Sequence, residues 1–269
     1  MSSIIQNKIA PWNSILKSVI MKYKMESFRI PPMQLSTINH ITQRPANRNV
    51  IFRGFVGGYK EQNFDLLDDE KLQECLKDLI QTSSIMLNSK LENDLLVIST
   101  DIRSNKVSQL KENPGCELCW WFPETGDQFR LSGNAYILPS PSINNNDFPF
   151  LMLSPYLNSS SISFDWEQER LKIWCNLLPE IRSSFIRPPP GQPIKNTDNN
   201  NNYLGKKLNA IGKDKNEKEL IKNALENFAL VIFKIDFVDR VQLNTEKRTT
   251  WEFREKEGNN EWTEVDVYP

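Results

Sequence analysis

The stretch LLVISTDIRSNKVSQLKENPGCELCWWF, residues 95–122, decides how this chain is expected to fold. Its apolar start, residues 95–99, has the length and composition of a buried strand. A charged amphipathic segment from about residue 103 to residue 112 predicts a helix, which Asn113 and Pro114 end. The segment CELCWWF predicts the next strand, so the stretch reads as strand, turn, helix and strand.

The turn between the first strand and the helix has the parts of a phosphate site. A helix N-terminus presents unpaired backbone N–H groups and the positive end of the helix dipole. Arg103 and Lys106, with the hydroxyls of Thr100 and Ser104, add donors of about 1 kcal/mol each in exposed settings. The alternative is an ordinary capped helix, in which Asp101 or Ser104 is the cap and the cations are solvated. The turn alone leaves both interpretations open.

Working outward from this stretch, β-branched and aromatic segments predict about seven strands with helices at the edges. The sequence PETG predicts a hairpin turn between CELCWWF and DQFRLSGNAYIL. Strands and helices do not alternate in a regular βαβ order. The pattern therefore favours a mainly β fold with accessory helices, a small antiparallel barrel rather than a doubly wound sheet.

We expect one domain over residues 1–269, with an amphipathic N-terminal helix at about residues 11–25. A helix pair broken near Pro179 is predicted within residues 164–185. Residues 139–163 are expected to form an extended loop, and RPPPGQP a stiff turn. The Asn- and Lys-rich segment at about residues 195–218 is expected to be a disordered insertion.

Composition restricts the classes of function. Hydrophobic residues make up 39% and charged residues 25% of the chain, and the formal net charge is -1. No global charge draws the chain to nucleic acid or to an anionic membrane, and no segment has the roughly 20 apolar residues of a membrane-spanning helix. We expect a cytoplasmic protein with four reduced cysteines. The single histidine, His40, leaves no His/Cys metal cluster and removes most Ser-His-Asp and Cys-His arrangements.

Two further segments carry polar groups in apolar surroundings. In NRNVIFRGF, Arg48 and Arg53 flank an apolar run, where a guanidinium is costly to bury unless an anion meets it. Their offset of five places them on opposite faces of a regular strand. In GDQFRLSGNA, Gln128 and Arg130 share a face, and the Gln128 amide suits the edge of a flat heterocycle.

Three ordered blocks then carry a family resemblance: R-x-V-I-F-R-G-F, S-T-D-x-R-S-x-K and N-P-x-x-E-L-C-W-W-F-P-x-T-x-x-Q-F-R-x-S-G. Together they resemble the pyridoxamine 5'-phosphate oxidase-like FMN-binding family, which has a split-barrel fold. The closest resemblance is to the subgroup of this family whose sequences carry TDxRSxK and FRxSG blocks. The segments LLPEIRSSFIRPPPGQP and EWTEVDVYP are similar to later blocks of that subgroup. The resemblance extends, with gaps, from about residue 11 to residue 269.

The resemblance implies FMN bound at a homodimer interface. It assigns a first flavin-binding strand, a phosphate-binding segment and one residue that contacts the flavin ring; these are Arg48, Val50, Ile51, Phe52 and Arg53, then Thr100, Arg103, Ser104 and Lys106, and finally Gln128. Asn105 stands where the oxidases have an arginine. The implied activity is an FMN-dependent oxidation of a small molecule such as a pyridoxine-like phosphate.

Two alternatives remain beside that activity. The oxidases hold the vitamin phosphate with a C-terminal Arg-x-His element, and this chain has no histidine beyond His40. A non-catalytic flavin-binding protein used for sensing or interaction is therefore an alternative. A module that binds no flavin, in which the arginines pair with carboxylates, is the second.

Overall fold

The computed structural model describes residues 9–27, 30–58, 67–81, 91–143, 147–157, 164–194, 206–254 and 261–269. Within these ranges the helices are α1 (Pro11–Ser27), α2 (Asp69–Ile80), α3 (Asn105–Glu112), α4 (Phe150–Leu153), α5 (Trp166–Cys175), α6 (Pro179–Arg182) and α7 (Lys215–Asn227). The strands are β1 (Met33–Asn39), β2 (Arg44–Val50), β3 (Phe52–Phe55), β4 (Leu96–Asp101), β5 (Gly115–Phe122), β6 (Asp127–Leu138), β7 (Phe228–Gln242), β8 (Lys247–Arg254) and β9 (Glu261–Val267).

All strand pairs are antiparallel and belong to one sheet. The strand order is β2-β1-β5-β6-β7-β4-β3, with β8 added to β7 and β9 added to β8. The two ends of this order, β2 and β3, are separated in the chain by Ile51 alone. Because consecutive residues cannot lie at distant edges, the sheet curls on itself. The predicted mainly β fold with accessory helices is confirmed.

Two apolar clusters lie on the two sides of this sheet. The inner cluster joins the inward side chains of the strands to α1; it includes Trp12, Leu16, Leu35, Leu118, Trp120, Leu131 and Trp251. The outer cluster packs α2, α5 and α7 against β4 and β7. Trp166 and Trp174 of α5 belong to it, which confirms their prediction as packing residues. Among the described residues, no helix is long and apolar enough to cross a membrane.

One expectation about the cysteines is wrong. Cys75 of α2 and Cys175 of α5 form a disulfide, with Cα atoms 6.5 Å apart and a sequence separation of 100. Cys116 and Cys119 are free, and burial raises the pKa of the Cys116 thiol to about 12. The described residues contain no group of three or more metal-ligating side chains.

Several predicted boundaries need correction. The described ranges form nine strands rather than about seven, and α3 begins at Asn105 rather than near residue 103. Part of the expected loop at residues 139–163 forms α4 and a short 3-10 helix, Ser154–Leu157. Residues 206–218 are described and lead into α7, which buries Ile221 and Ala224, whereas residues 195–205 lie outside the described ranges.

Candidate functional site

The turn from β4 to α3 brings two hydroxyls and an ammonium group together. Ser104 occupies the N-cap position of α3 with an extended backbone, and its side chain makes no capping hydrogen bond. Its Oγ instead lies 3.2 Å from Thr100 Oγ1. Lys106 Nζ donates to Thr100 Oγ1 at 3.0 Å and to Ser104 Oγ at 3.2 Å. Thr100 and Ser104 are both buried, so their hydroxyls are fixed rather than freely rotating at the surface.

Arg48 of β2 approaches the same turn from the neighbouring part of the sheet. Its Nη1 donates to Thr37 Oγ1 at 2.6 Å and to the Leu35 carbonyl at 3.2 Å. Its Nη2 donates to Gln109 Oε1 at 2.6 Å, and Thr37 Oγ1 donates to the same oxygen at 2.6 Å. The guanidinium is therefore held in place by neutral acceptors. We call Arg48, Thr100, Ser104 and Lys106 the anion cradle.

The electrostatics of the anion cradle favour a negatively charged ligand. Burial lowers the pKa of Lys106, and the nearby Arg48 charge lowers it further, while Asp101 acts in the opposite direction. Burial also lowers the pKa of Arg48. Within the described part of the chain, neither cation forms a salt bridge with a carboxylate. An anion placed between the two cations would remove both their repulsion and their lack of a counter-charge.

Arg103 is placed differently from Lys106. Its Nε donates to Asp101 Oδ1 at 2.9 Å, and its Nη2 donates to Asp101 Oδ2 at 2.6 Å. Nη2 also donates to the Arg187 carbonyl at 3.0 Å. The charge of Arg103 is therefore compensated by a carboxylate two residues away. Its predicted contact with a phosphate stays a prediction, and its observed role is to connect the turn to residues 183–187.

The segment from Val50 to Arg53 divides between the two sides of the sheet. Val50 and Phe52 are buried in the inner cluster, and Ile51, between β2 and β3, is 51% exposed. Arg53 Nε donates to Ser99 Oγ at 3.1 Å, and burial lowers the pKa of Arg53 to about 10. Because Phe52 faces inward, Arg53 faces outward, whereas Arg48 pairs with the buried Leu35. Arg48 and Arg53 therefore lie on opposite faces of the sheet, as their spacing in the sequence predicts.

Gln128 lies across the sheet from the anion cradle. The β5–β6 register pairs the buried Leu118 with Leu131, and it pairs Trp121 with Gln128. An offset of three residues along β6 turns Gln128 to the face opposite Leu131. The structure therefore brings Arg48, Thr100, Ser104 and Lys106 together but leaves Gln128 on the other face of the same chain.

Thr37 and Gln109 are site residues that the sequence reasoning missed. In both cases the sequence contains a pattern from which the residue could have been identified. Thr37 follows Met33 and Leu35 on the inward face of β1, where a polar residue interrupts an apolar alternation. Gln109 is buried in α3, three residues after Lys106, and so lies on nearly the same helix face. A buried polar side chain requires a hydrogen-bond partner, and here each finds one in Arg48.

Comparisons with known proteins show which sequences this chain is similar to. The model of the family described as pyridoxamine 5'-phosphate oxidase, FMN-binding domain, matches residues 9–139. A pyridoxine/pyridoxamine 5'-phosphate oxidase 2 from Arabidopsis thaliana is 28% identical over 185 residues, which cover 69% of this chain and 66% of that protein. An uncharacterized protein from Saccharomyces cerevisiae is 23% identical over 98% of this chain and 100% of its own length.

Solved structures share the fold. A pyridoxamine 5'-phosphate oxidase-related, FMN binding protein from Nostoc punctiforme has a TM-score of 0.62 at 23% identity, over 98% of this chain and 100% of that chain. PhzG from Burkholderia lata, in complex with tetrahydrophenazine-1-carboxylic acid, has a TM-score of 0.55 at 13% identity and 98% coverage of both chains. These likenesses confirm the split-barrel fold. Residues 9–139, which contain the whole anion cradle, match the FMN-binding domain model of the pyridoxamine 5'-phosphate oxidase family.

Proposed function

We propose that this protein binds FMN with the phosphate of the cofactor in the anion cradle, and that it is an FMN-dependent oxidoreductase. The observation that carries the proposal is the pair of half-buried cations, Arg48 and Lys106, which face two buried hydroxyls without a carboxylate partner among the described residues. A phosphate dianion supplies the two negative charges that this arrangement lacks. The family whose model matches residues 9–139 supports FMN as the source of that phosphate.

Each residue of the anion cradle has a defined task in this proposal. Lys106 and Arg48 neutralise the phosphate charge. Thr100 and Ser104 accept hydrogen bonds from Lys106. One of their two hydroxyl protons is used in the contact between them, so the other is the one that can be donated to a phosphate oxygen. Gln109 fixes the guanidinium of Arg48 and thereby positions it before the ligand arrives.

The bound flavin would supply the redox chemistry, by accepting a hydride from a substrate. The chain itself contributes binding and orientation. The described residues around the anion cradle include no histidine, and His40 lies in the exposed turn between β1 and β2. Since the flavin is the hydride acceptor, no strong protein base is required at this position.

We also propose that the functional form is a homodimer. Gln128, which the resemblance assigns to the flavin ring, lies on the face of the sheet opposite the anion cradle. A flavin held by its phosphate in one protomer could contact this glutamine only if a second copy presents its outer sheet face. Size-exclusion chromatography with light scattering tests this, and a monomeric FMN-loaded protein would contradict it.

The identity of the substrate is the most specific part of the proposal. A pyridoxine-like phosphate is the substrate that the resemblance suggests, and a peroxide assay with pyridoxamine and pyridoxine phosphates tests it. The lack of a histidine in β8 and β9 favours a second candidate, a flavin-binding protein without this oxidase activity. Absence of peroxide above background, with flavin fully bound, would favour that candidate.

Flavin binding itself is tested by titrating the cofactor-free protein with FMN while flavin fluorescence is recorded. The variant R48A/K106A should lose binding, because it removes both charges of the anion cradle. K111A is the matched control, since Lys111 is an exposed lysine at the other end of α3. Equal FMN affinity in the wild type and the double variant would contradict the proposal.

A further inference from the structure

We propose that Arg187 is a further phosphate-binding residue, delivered to the anion cradle by a rigid strap of residues 187–193, RPPPGQP. This inference rests on the proposed function, because the ligand it names is the phosphate of FMN. Three features of the structure carry it: the course of the strap, its stiffness, and the unused donors of the Arg187 guanidinium.

The strap lies along the N-terminal end of α3. At its start, the Arg187 carbonyl accepts a hydrogen bond of 3.0 Å from Nη2 of Arg103. Further along, the Cβ position of Gly191 lies 3.7 Å from Nδ2 of Asn105. Arg103 and Asn105 are the two neighbours of Ser104, which belongs to the anion cradle. The strap therefore passes beside the helix end that holds Ser104 and Lys106.

Local sequence makes the position of Arg187 rigid. Arg187 precedes Pro188, and a residue before proline is restricted to extended conformations. Its backbone has φ -75° and ψ 165°, as this restriction requires. Three consecutive prolines then fix φ along the strap, which turns at residues 189–192, where the Gln192 N–H donates to the Pro189 carbonyl at 3.4 Å. The preceding 3-10 helix, Ser183–Ile186, is tied down by Asn227, whose Nδ2 donates to the Phe185 carbonyl at 2.9 Å.

The guanidinium of Arg187 has an N–H donor without an acceptor. Its Nε is buried and has no hydrogen-bond partner within the described ranges. Two other arginines, Arg182 in α6 and Arg103 in the β4–α3 turn, differ in this respect. Arg182 donates to the carbonyls of Trp174, Cys175, Leu177 and Leu208 and so closes the end of α5. Arg103 is paired with Asp101.

A buried guanidinium N–H without an acceptor is unfavourable until an acceptor reaches it. In the proposed complex the phosphate would be the anion available to Arg187, since the carboxylate of Asp101 is already engaged by Arg103. Arg187 would add a third charge to those of Arg48 and Lys106. Because the strap is fixed in advance, little conformational freedom is lost when this contact forms.

The test compares FMN with riboflavin, which has the same ring system and no phosphate. Dissociation constants for both are measured by fluorescence titration of the cofactor-free wild type, R187A, R187K and R254A. Arg254 is an exposed arginine of β8 paired with Glu252, so R254A is the control for loss of a surface charge. We expect R187A to weaken FMN binding by roughly tenfold or more, as for a lost hydrogen bond to a charged group. Riboflavin binding should change less than about twofold.

R187K should recover part of the FMN affinity, and R254A should match the wild type. Equal weakening of FMN and riboflavin by R187A, or no weakening of either, would overturn the inference while leaving the proposed function intact. If the wild type itself binds no FMN, the proposed function fails and the inference falls with it. Should R187A not fold, as judged by its thermal transition, R187Q is measured against the same two criteria.

Discussion

Replacement of Lys106 by methionine separates the binding role of the anion cradle from a purely structural one. Methionine keeps the unbranched chain and removes the ammonium group. In the ligand-free protein the Lys106 charge is unfavourable, because burial and Arg48 both lower its pKa. A lysine whose pKa is lower in the folded protein than in the unfolded chain costs stability wherever it carries its charge. Its removal should therefore leave the thermal transition of the ligand-free protein unchanged or slightly higher.

FMN binding should respond in the opposite direction. Two Nζ protons are directed to Thr100 and Ser104, which leaves one proton and the full charge for the phosphate. Loss of one hydrogen bond between charged groups costs about 1.5–3 kcal/mol, or roughly 10- to 150-fold in dissociation constant. The assay is fluorescence titration with FMN, beside thermal unfolding without ligand. K111M is the matched control on the same helix. The reasoning is refuted if K106M binds FMN like the wild type, or if it mainly lowers the stability of the ligand-free protein.

Three further predictions concern stability and the residues behind the site. Burial raises the pKa of Asp94 to about 6 although the Ala10 N–H donates to it, so unfolding free energy should fall as pH rises from about 4 to 6. D94N should lack that fall and exceed the wild type at pH 8 by on the order of 2 kcal/mol, measured by urea unfolding. Reduction of the Cys75–Cys175 disulfide should lower the unfolding free energy by about 2–4 kcal/mol, while C75A/C175A should not respond to the reductant. Q109L removes the acceptor shared by Arg48 and Thr37 and should weaken FMN binding roughly tenfold.

Each of these has a contradicting result. A wild-type protein whose stability does not change between pH 4 and pH 8, or a D94N variant that is less stable at pH 8, would show that the Asp94 carboxylate is well solvated. Equal thermal transitions with and without reductant would argue against the disulfide. Unchanged FMN affinity in Q109L would mean that Arg48 needs no support from α3.

Most of the anion cradle could be predicted from the sequence because three of its four residues are close together in the chain. Thr100, Ser104 and Lys106 lie within seven residues, and the step from an apolar strand into an amphipathic helix fixes their relation. The opposite faces of Arg48 and Arg53 also follow from strand periodicity alone. The structure differs for Arg103 because the carboxylate of Asp101, two residues earlier, competes for it.

Other features depend on contacts that sequence periodicity does not encode. Cys75 and Cys175 are separated by 100 positions in sequence and come together only because α2 packs on α5. Helix α7 was hidden by its Lys- and Asn-rich composition, yet Ile221 and Ala224 give it a buried stripe once β7 is in place. The partner of Arg48 on α3, Gln109, was missed because β2 and α3 are distant in the chain.

The most direct test of the central claim, that the anion cradle holds a phosphate, is the ratio of the dissociation constants of the wild-type protein for riboflavin and FMN. The two ligands differ only in the phosphate that Arg48 and Lys106 are proposed to bind. The account predicts that riboflavin binds at least about 100-fold more weakly than FMN, since two charged contacts are lost. Equal affinity for the two ligands, or binding of neither, would contradict it.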